Sequence, residues 1–247
     1  MSIKTNILDQ INGPTEVKKL TIDEMSEMRE KILQKNSAIG GHVGPNLGVV
    51  ELTIAFHHVF DSPKDKIVWD VSHQSYGHKL LTGRKNGFEE GSYHEISGYS
   101  NQHESEHDYF TVGHTSTSIS LAVGLAKARD LKQEKGNIIA FIGDGSLSGG
   151  LAFEGLNNGG TINSNLIVLV NDNEMSISEN VGGISSYLSN LRTAEGYQEF
   201  KTGVKNSLSK IPGIGPATIK RLHKTKDSIK RLVIPGMFFE DMGITYL

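Results

Sequence analysis

Cysteine is absent from this 247-residue sequence, so neither a disulfide framework nor a thiol nucleophile is available to it. No apolar run approaches the length that crosses a bilayer, and the opening MSIKTNILDQINGP lacks the basic start and apolar core of a secretion signal. Net charge is scarce too, at −3, and by itself names no partner. What remains is 36% hydrophobic and 21% charged, enough to bury a full core as one large domain or as one domain with an appendage. The expected class is a cytoplasmic enzyme domain with no membrane partner.

The charge is unevenly distributed. Between Lys201 and Leu232 nine Lys and Arg stand against one acid, Asp227, so this stretch carries +8 and the rest of the chain −11. Within it, Ile211-Pro-Gly-Ile-Gly-Pro-Ala-Thr-Ile219 looks like the hairpin of a helix-hairpin-helix module. Such hairpins offer backbone N–H groups to nucleic-acid phosphate, and nearby cations add affinity through counterion release. The same residues also read as a Gly/Pro turn between two amphipathic helices with solvated lysines.

Elsewhere the pattern predicts an α/β fold, a mostly parallel sheet with helices on both faces. Thr21 to Gln34 has helical spacing, with Thr21 as N-cap and Glu24 completing a capping box. Asn46 to Phe60 reads as one largely buried helix, Lys66 to Asp70 as a short strand, and Tyr109 to Val112 as another. Thr117 to Lys132 is an amphipathic helix with small residues where it presses on the sheet. Ligands of such sheets bind beyond the carboxyl ends of the strands.

The richest segment is GDGSLSGGLAFEGLNNGGTINSNLIVLVNDN, from Gly143 to Asn173. Ile138 to Ile142 is an uninterrupted β-prone run, as expected of a strand buried on both faces. It ends in Gly143-Asp144-Gly145, where glycines let the backbone turn sharply and approach a ligand, and a helix from about Leu147 to Asn158 would aim free N–H groups at an anion. A second strand, Leu166 to Val170, delivers Asn171-Asp172-Asn173 to the same edge. Magnesium takes octahedral oxygen coordination, usually from a few protein groups plus phosphate and water. The Asp144 carboxylate, the Asn173 side-chain oxygen and a backbone carbonyl near Met175 supply such a set. GDG alone also fits an ordinary βαβ turn with a capping Asp; NDNEMSIS at this distance favours a cofactor site.

These two motifs together resemble the thiamine diphosphate motif of the transketolase superfamily. Within it, the flanking text is similar to the 1-deoxy-D-xylulose-5-phosphate synthase family. The matching stretches are GGHVGPNLGVVELT from Gly40, KIVWDVSHQSYGHKLLTGR from Lys66, ESEHDYFTVGHTSTSIS from Glu104, and then YLSNLRTAEGY, KIPGIG and VIPGMFFEDMGITYL. Because that family carries a similar KIPGIG stretch in a mobile region beside its active site, the resemblance weighs against nucleic acid and implies a mobile helical segment at about 183–235.

The resemblance implies thiamine diphosphate and Mg2+ as cofactors. The implied reaction joins pyruvate and glyceraldehyde 3-phosphate into 1-deoxy-D-xylulose 5-phosphate with release of CO2. It implies that His73 contacts the cofactor and handles protons on substrate oxygens, and that His42 lies beside the reacting carbonyl. Gly113, His114 and Thr115, together with Gly145, Ser146 and Asn173, are then cofactor-binding, and Asp144, Asn173 and Met175 hold the metal. A neutral imidazole near pH 7 both donates and accepts a proton, which suits carbonyl chemistry. His57, His58, His94, His103, His107 and His223 lack such context, and Glu154 reads as a second carboxylate near the site or an exposed helix acid. In the family a glutamate activates the cofactor from a pyrimidine-binding domain, for which no candidate is found here. The chain is therefore expected to be the anchoring domain only, inactive alone, with a homodimeric partner or a partner subunit completing it. A split subunit, a truncated form and a degenerate paralogue all fit. Two departures stand out: Gly77 where the family commonly has proline, and no basic residue before ESEHD.

Overall fold

The computed structural model describes residues 6–172, 183, 186, 187 and 237–245. The chain divides into two compact units, Met1–Glu179 and Asn180–Leu247. Asn173, Met175 and the basic stretch Lys201 to Leu232 lie outside the described residues, as does nearly all of the segment expected at 183–235.

In the first unit, α1 (Pro14–Val17) leads into α2 (Ile22–Ile39). The capping box forms as the sequence predicts: Thr21 Oγ1 accepts the Glu24 N–H at 3.3 Å, and the Glu24 carboxylate accepts the Thr21 N–H at 2.8 Å. Met28, Ile32 and Asn36, one helical repeat apart, form the buried stripe. The helix outlasts its expected end at Gln34 and stops at Gly40, whose φ of +78° lies in the left-handed region.

The single helix expected over 46–60 is two: α3 (Val43–Leu47) and α4 (Val50–Val59). The chain leaves the helical path at Gly48-Val49, just after Asn46, whose side chain is bonded to the backbone of His42, His73 and Tyr76. α5 (Tyr76–Leu81) is buried throughout, and a Cβ added at Gly77 would meet Thr53 and Ile32 at van der Waals distance. Leu8, Ile11, Met28, Ile32, Ile54, Leu80 and Leu81 form one core beneath these helices.

The sheet has parallel strands β1 (Lys66–Trp69), β2 (Ile138–Gly143) and β3 (Leu166–Asn171), in the order β1-β2-β3. The register pairs Lys66 with Ile138 and Gly143 with Asn171. Side chains alternate: Ile67, Trp69, Ile139 and Phe141 face Val49 and Phe56 on one side, and the Trp69 and Phe141 rings pack tilted at 46° with centroids 4.8 Å apart. On the other face α6 (Ser118–Leu131) packs against all three strands, burying Ile119, Ala122, Val123 and Ala126. Helices thus cover both faces, as the α/β pattern requires.

The helix expected from Leu147 to Asn158 is again two pieces, α7 (Asp144–Leu147) and α8 (Gly150–Thr161). Gly149 lies at the junction because a Cβ there would collide with the Ser116 side chain. Residues 109–112 form no strand. Val112 N–H instead reaches the Ser100 carbonyl at 3.3 Å, and the Val112 carbonyl accepts from Ser72 Oγ at 3.1 Å, so this segment pairs with loops. Among the described residues no helix is long and apolar enough to cross a membrane. In the second unit a short helix, Met237–Asp241, packs Phe238 and Phe239 around the Tyr187 ring.

Candidate functional site

Parallel strands put all their carboxyl ends at one edge, and the loops that leave this edge carry the residues singled out in the sequence. Asn171 lies opposite Gly143, so β2 and β3 release Asp144 and Asp172 side by side. β1 ends one residue before Asp70. These strand ends are fastened to the loop before α6. Asp70, 1% exposed, accepts the Ser116 N–H on Oδ2 and the Ser118 N–H on Oδ1, each at 2.9 Å. Thr115 Oγ1 donates to Ser146 Oγ at 2.6 Å, and Ser116 Oγ donates to the Ser146 carbonyl at 2.7 Å. The loop that follows Gly113 and His114 is thereby tied to the turn that carries Asp144 and Gly145. His114 is exposed, with Nδ1 2.9 Å from the Thr115 carbonyl oxygen.

The loop that carries His73 is strained. Val71 and Ser72 have φ of +55° and +68°, unusual for any residue with a Cβ and most of all for a β-branched one. Such strain persists only where surroundings over-determine it. Here Ser72 Oγ accepts the Ser100 N–H at 2.8 Å and donates to Val112, while Asp70 anchors the entry. His73 emerges half-buried, its ring 5.3 Å from that of the exposed His42 at an interplanar angle of 79°. Tyr99 adds a third ring, 5.5 Å from His42. Burial, reinforced by the His42 charge and opposed by Asp70, holds the His73 imidazole below its ordinary value. It is therefore neutral at pH 7.

These features suit an anionic cofactor at the edge. His73 Nδ1 is buried without a partner, a polar atom that awaits one. A Cβ at Gly113 would meet nothing within 4 Å, so the backbone there faces open space. Among the described residues no three His, Asp or Glu side chains gather into a metal cluster. Of the expected ligands, Asp144 stands at the turn, and Asn173 and Met175 fall outside the described residues. Glu154 is exposed on α8 and accepts from Asn157 and Asn158, the arrangement of a helix-surface acid.

Two site residues carried no recognisable sequence signal. Asp70 reads as the last residue of a strand, and Asn46 as the first residue of a helix. The structure also joins residues to which no role was given. His57, His78 and Asp108 form a buried line, with His78 Nε2 3.0 Å from Asp108 Oδ1, and Arg84 clasps Asp108 at 2.7 and 3.1 Å. Lys79, fully buried, pairs with Glu104, which also accepts the Ser97 N–H at 2.6 Å. His78, next to Gly77, is thus held on both ring nitrogens.

A sequence model described as 1-deoxy-D-xylulose-5-phosphate synthase matches residues 8–247. The chain belongs to that family. It is 54% identical over 246 residues to the 1-deoxy-D-xylulose-5-phosphate synthase of Desulfitobacterium hafniense, covering 98% of this chain and 39% of the relative. The counterpart in Lachnoclostridium phytofermentans is 52% identical with the same coverage. That of Caldanaerobacter subterraneus subsp. tengcongensis is 53% identical, with 40% of its length covered. The chain thus spans about two fifths of the length of these synthases. Within the synthase family frame, the expected site residues that are described fall at one sheet edge, with the exception of His42, which reaches His73 from the start of α3.

Proposed function

We propose that this chain holds the diphosphate and magnesium of thiamine diphosphate for a 1-deoxy-D-xylulose-5-phosphate synthase-like transferase. The observation that carries the reading is the fastening of the 113–118 loop to both Asp70 and the Ser146 turn, which gathers the cofactor-binding candidates at the end of β2. Asp144, with Asn173 and the Met175 carbonyl, would hold the metal; Gly113 to Thr115, Gly145 and Ser146 would bond the diphosphate. When bound, the cofactor supplies the electron sink for breaking and making carbon–carbon bonds. The protein's part is to anchor it and to keep His73 neutral, able to take and return a proton at a substrate oxygen.

Pyruvate and glyceraldehyde 3-phosphate are the proposed substrates. A second copy of the chain or a partner subunit bearing the pyrimidine-binding domain completes the site, in the cytoplasm, and the chain alone is inactive. Calorimetric titration with magnesium and thiamine diphosphate tests the reading. Binding that Asp144→Ala abolishes supports it, whereas full affinity in that variant overturns it. Synthase turnover by the 247 residues alone would refute the need for a partner.

A further inference from the structure

His42 and His73 come from different parts of the chain, and neither loop is regular. The first follows Gly40 and Gly41, both at left-handed φ of +78° and +70°; the second follows the strained Val71-Ser72 pair. Two such loops have no intrinsic reason to hold their rings 5.3 Å apart. The side chain that joins them is Asn46, in α3 and 1% exposed. Its Nδ2 donates to the His42 carbonyl at 2.8 Å and to the His73 carbonyl at 2.7 Å, while its Oδ1 accepts the Tyr76 N–H at 2.9 Å.

The chemistry of that position is narrow. It demands two donors and one acceptor on a short stem, a set that a neutral carboxamide provides and a hydroxyl or carboxylate does not. All three partners are main-chain atoms, so Asn46 fixes where the loops run, whichever side chains they bear. Among the described residues no other side chain hydrogen-bonds to both histidine carbonyls.

We infer that Asn46 is a positioning residue that sets the spacing of the His42 and His73 rings, coupling them as one unit in proton handling. The inference rests on the site proposed above for its purpose but on Asn46 geometry for its substance. The charged groups that act on His73 are His42, which pushes it down, and Asp70, which pushes it up. Asp70 is anchored independently through Ser116 and Ser118, so loosening Asn46 changes the histidine neighbour and leaves the carboxylate in place.

The test is a double-mutant cycle read by NMR on the 247-residue chain, isotope-labelled at histidine Cε1, with the His42 and His73 signals assigned from His42→Asn and His73→Asn variants. In the parent, His42→Asn removes a positive neighbour and raises the titration midpoint of His73. In an Asn46→Ala background the same substitution leaves that midpoint unchanged. Asn46→Asp serves as a second background: it is isosteric, keeps the acceptor for Tyr76 and removes both donors, and its added charge cancels within the cycle. Loss of the shift in either folded background supports the inference. A shift as large as the parent's in both backgrounds, or no shift in the parent, overturns it. The readout needs no cofactor, so a failure of the proposed thiamine diphosphate site, seen by calorimetry, is distinguishable from a failure here.

Discussion

His57 Nε2 lies 2.9 Å from His78 Nδ1, with the two rings stacked 5.1 Å apart and neither exposed to solvent. The line continues through His78 Nε2 to Asp108. Hydrogen bonds from His78 and Arg84 outweigh the upward push of burial on that carboxyl and hold it well below the usual carboxylate range. The carboxylate accepts the Nε2–H of a neutral His78, which leaves Nδ1 to accept from His57. Both imidazoles are kept neutral by burial, His57 most strongly.

Acid lability follows from this. His57, His78 and His107 all protonate in the unfolded chain near the ordinary histidine value of about 6.5, but in the fold they resist, His107 down to about 4. Below the unfolded value the unfolded chain therefore binds more protons, and stability falls as pH falls. Asp108 adds to the same trend at lower pH, where its unfolded form protonates first. The urea midpoint should be level above about pH 7 and decline between about 6.5 and 4.5. A flat midpoint through that interval would contradict the neutral histidine line.

Asp70→Ala should leave the Ser116 and Ser118 N–H groups buried without acceptors, at about 1–3 kcal/mol each. Equilibrium urea unfolding measures the loss. Asp70→Asn retains one acceptor oxygen and should fall between parent and Ala. If thiamine diphosphate binds at this edge, its affinity should drop in the same order, since the 113–118 loop loses its anchor.

Gly149→Ala should destabilise by about 1–3 kcal/mol through overpacking against Ser116. Ser116 itself has a φ of +69°, a conformation that glycine adopts without strain. Ser116→Gly in the same chain should therefore recover much of the loss, so that the double variant is more stable than Gly149→Ala alone. Simple additivity of the two substitutions, seen in thermal melts, would show that the two side chains do not meet.

Glu104→Gln should be costly because Lys79, with no exposed side-chain surface and already pushed down by burial, would have either to hold its charge without a carboxylate or to give up its proton. Breaking such a buried pair costs about 3 kcal/mol or more. Replacing Lys79 by Met in the Glu104→Gln chain should restore most of it, which chemical denaturation of the three variants can check.

The features that the sequence made legible are those set by near neighbours. The Thr21–Glu24 capping box, the span of α6 and the fully buried run of β2 depend on residues within a turn or a strand of one another. The GDG turn could likewise be placed at the end of its strand. The breaks in the helices expected at 46–60 and 147–158 could not, because the contacts beside them are distant in sequence: Asn46 bonds the His73 carbonyl, and Ser116 fills the space that a Cβ at Gly149 would need. Asp70 and Asn46 were overlooked for the same reason: a side chain that serves distant backbone has no periodicity. The failed strand at 109–112 had the right composition, but Ser72 and Ser100 claim its backbone groups before a neighbouring strand does.

Trp69 is the chain's single tryptophan, buried against Phe141 and 5.6 Å from the His78 ring. Its emission therefore comes from one defined place, between the sheet and the histidine line. A protonated imidazole quenches an excited indole by accepting an electron from it, and a neutral one does so far less. Intrinsic fluorescence thus reads the proton state of His78 without any label, and because Asp70 follows directly in the chain, the same light registers when the end of β1 comes loose.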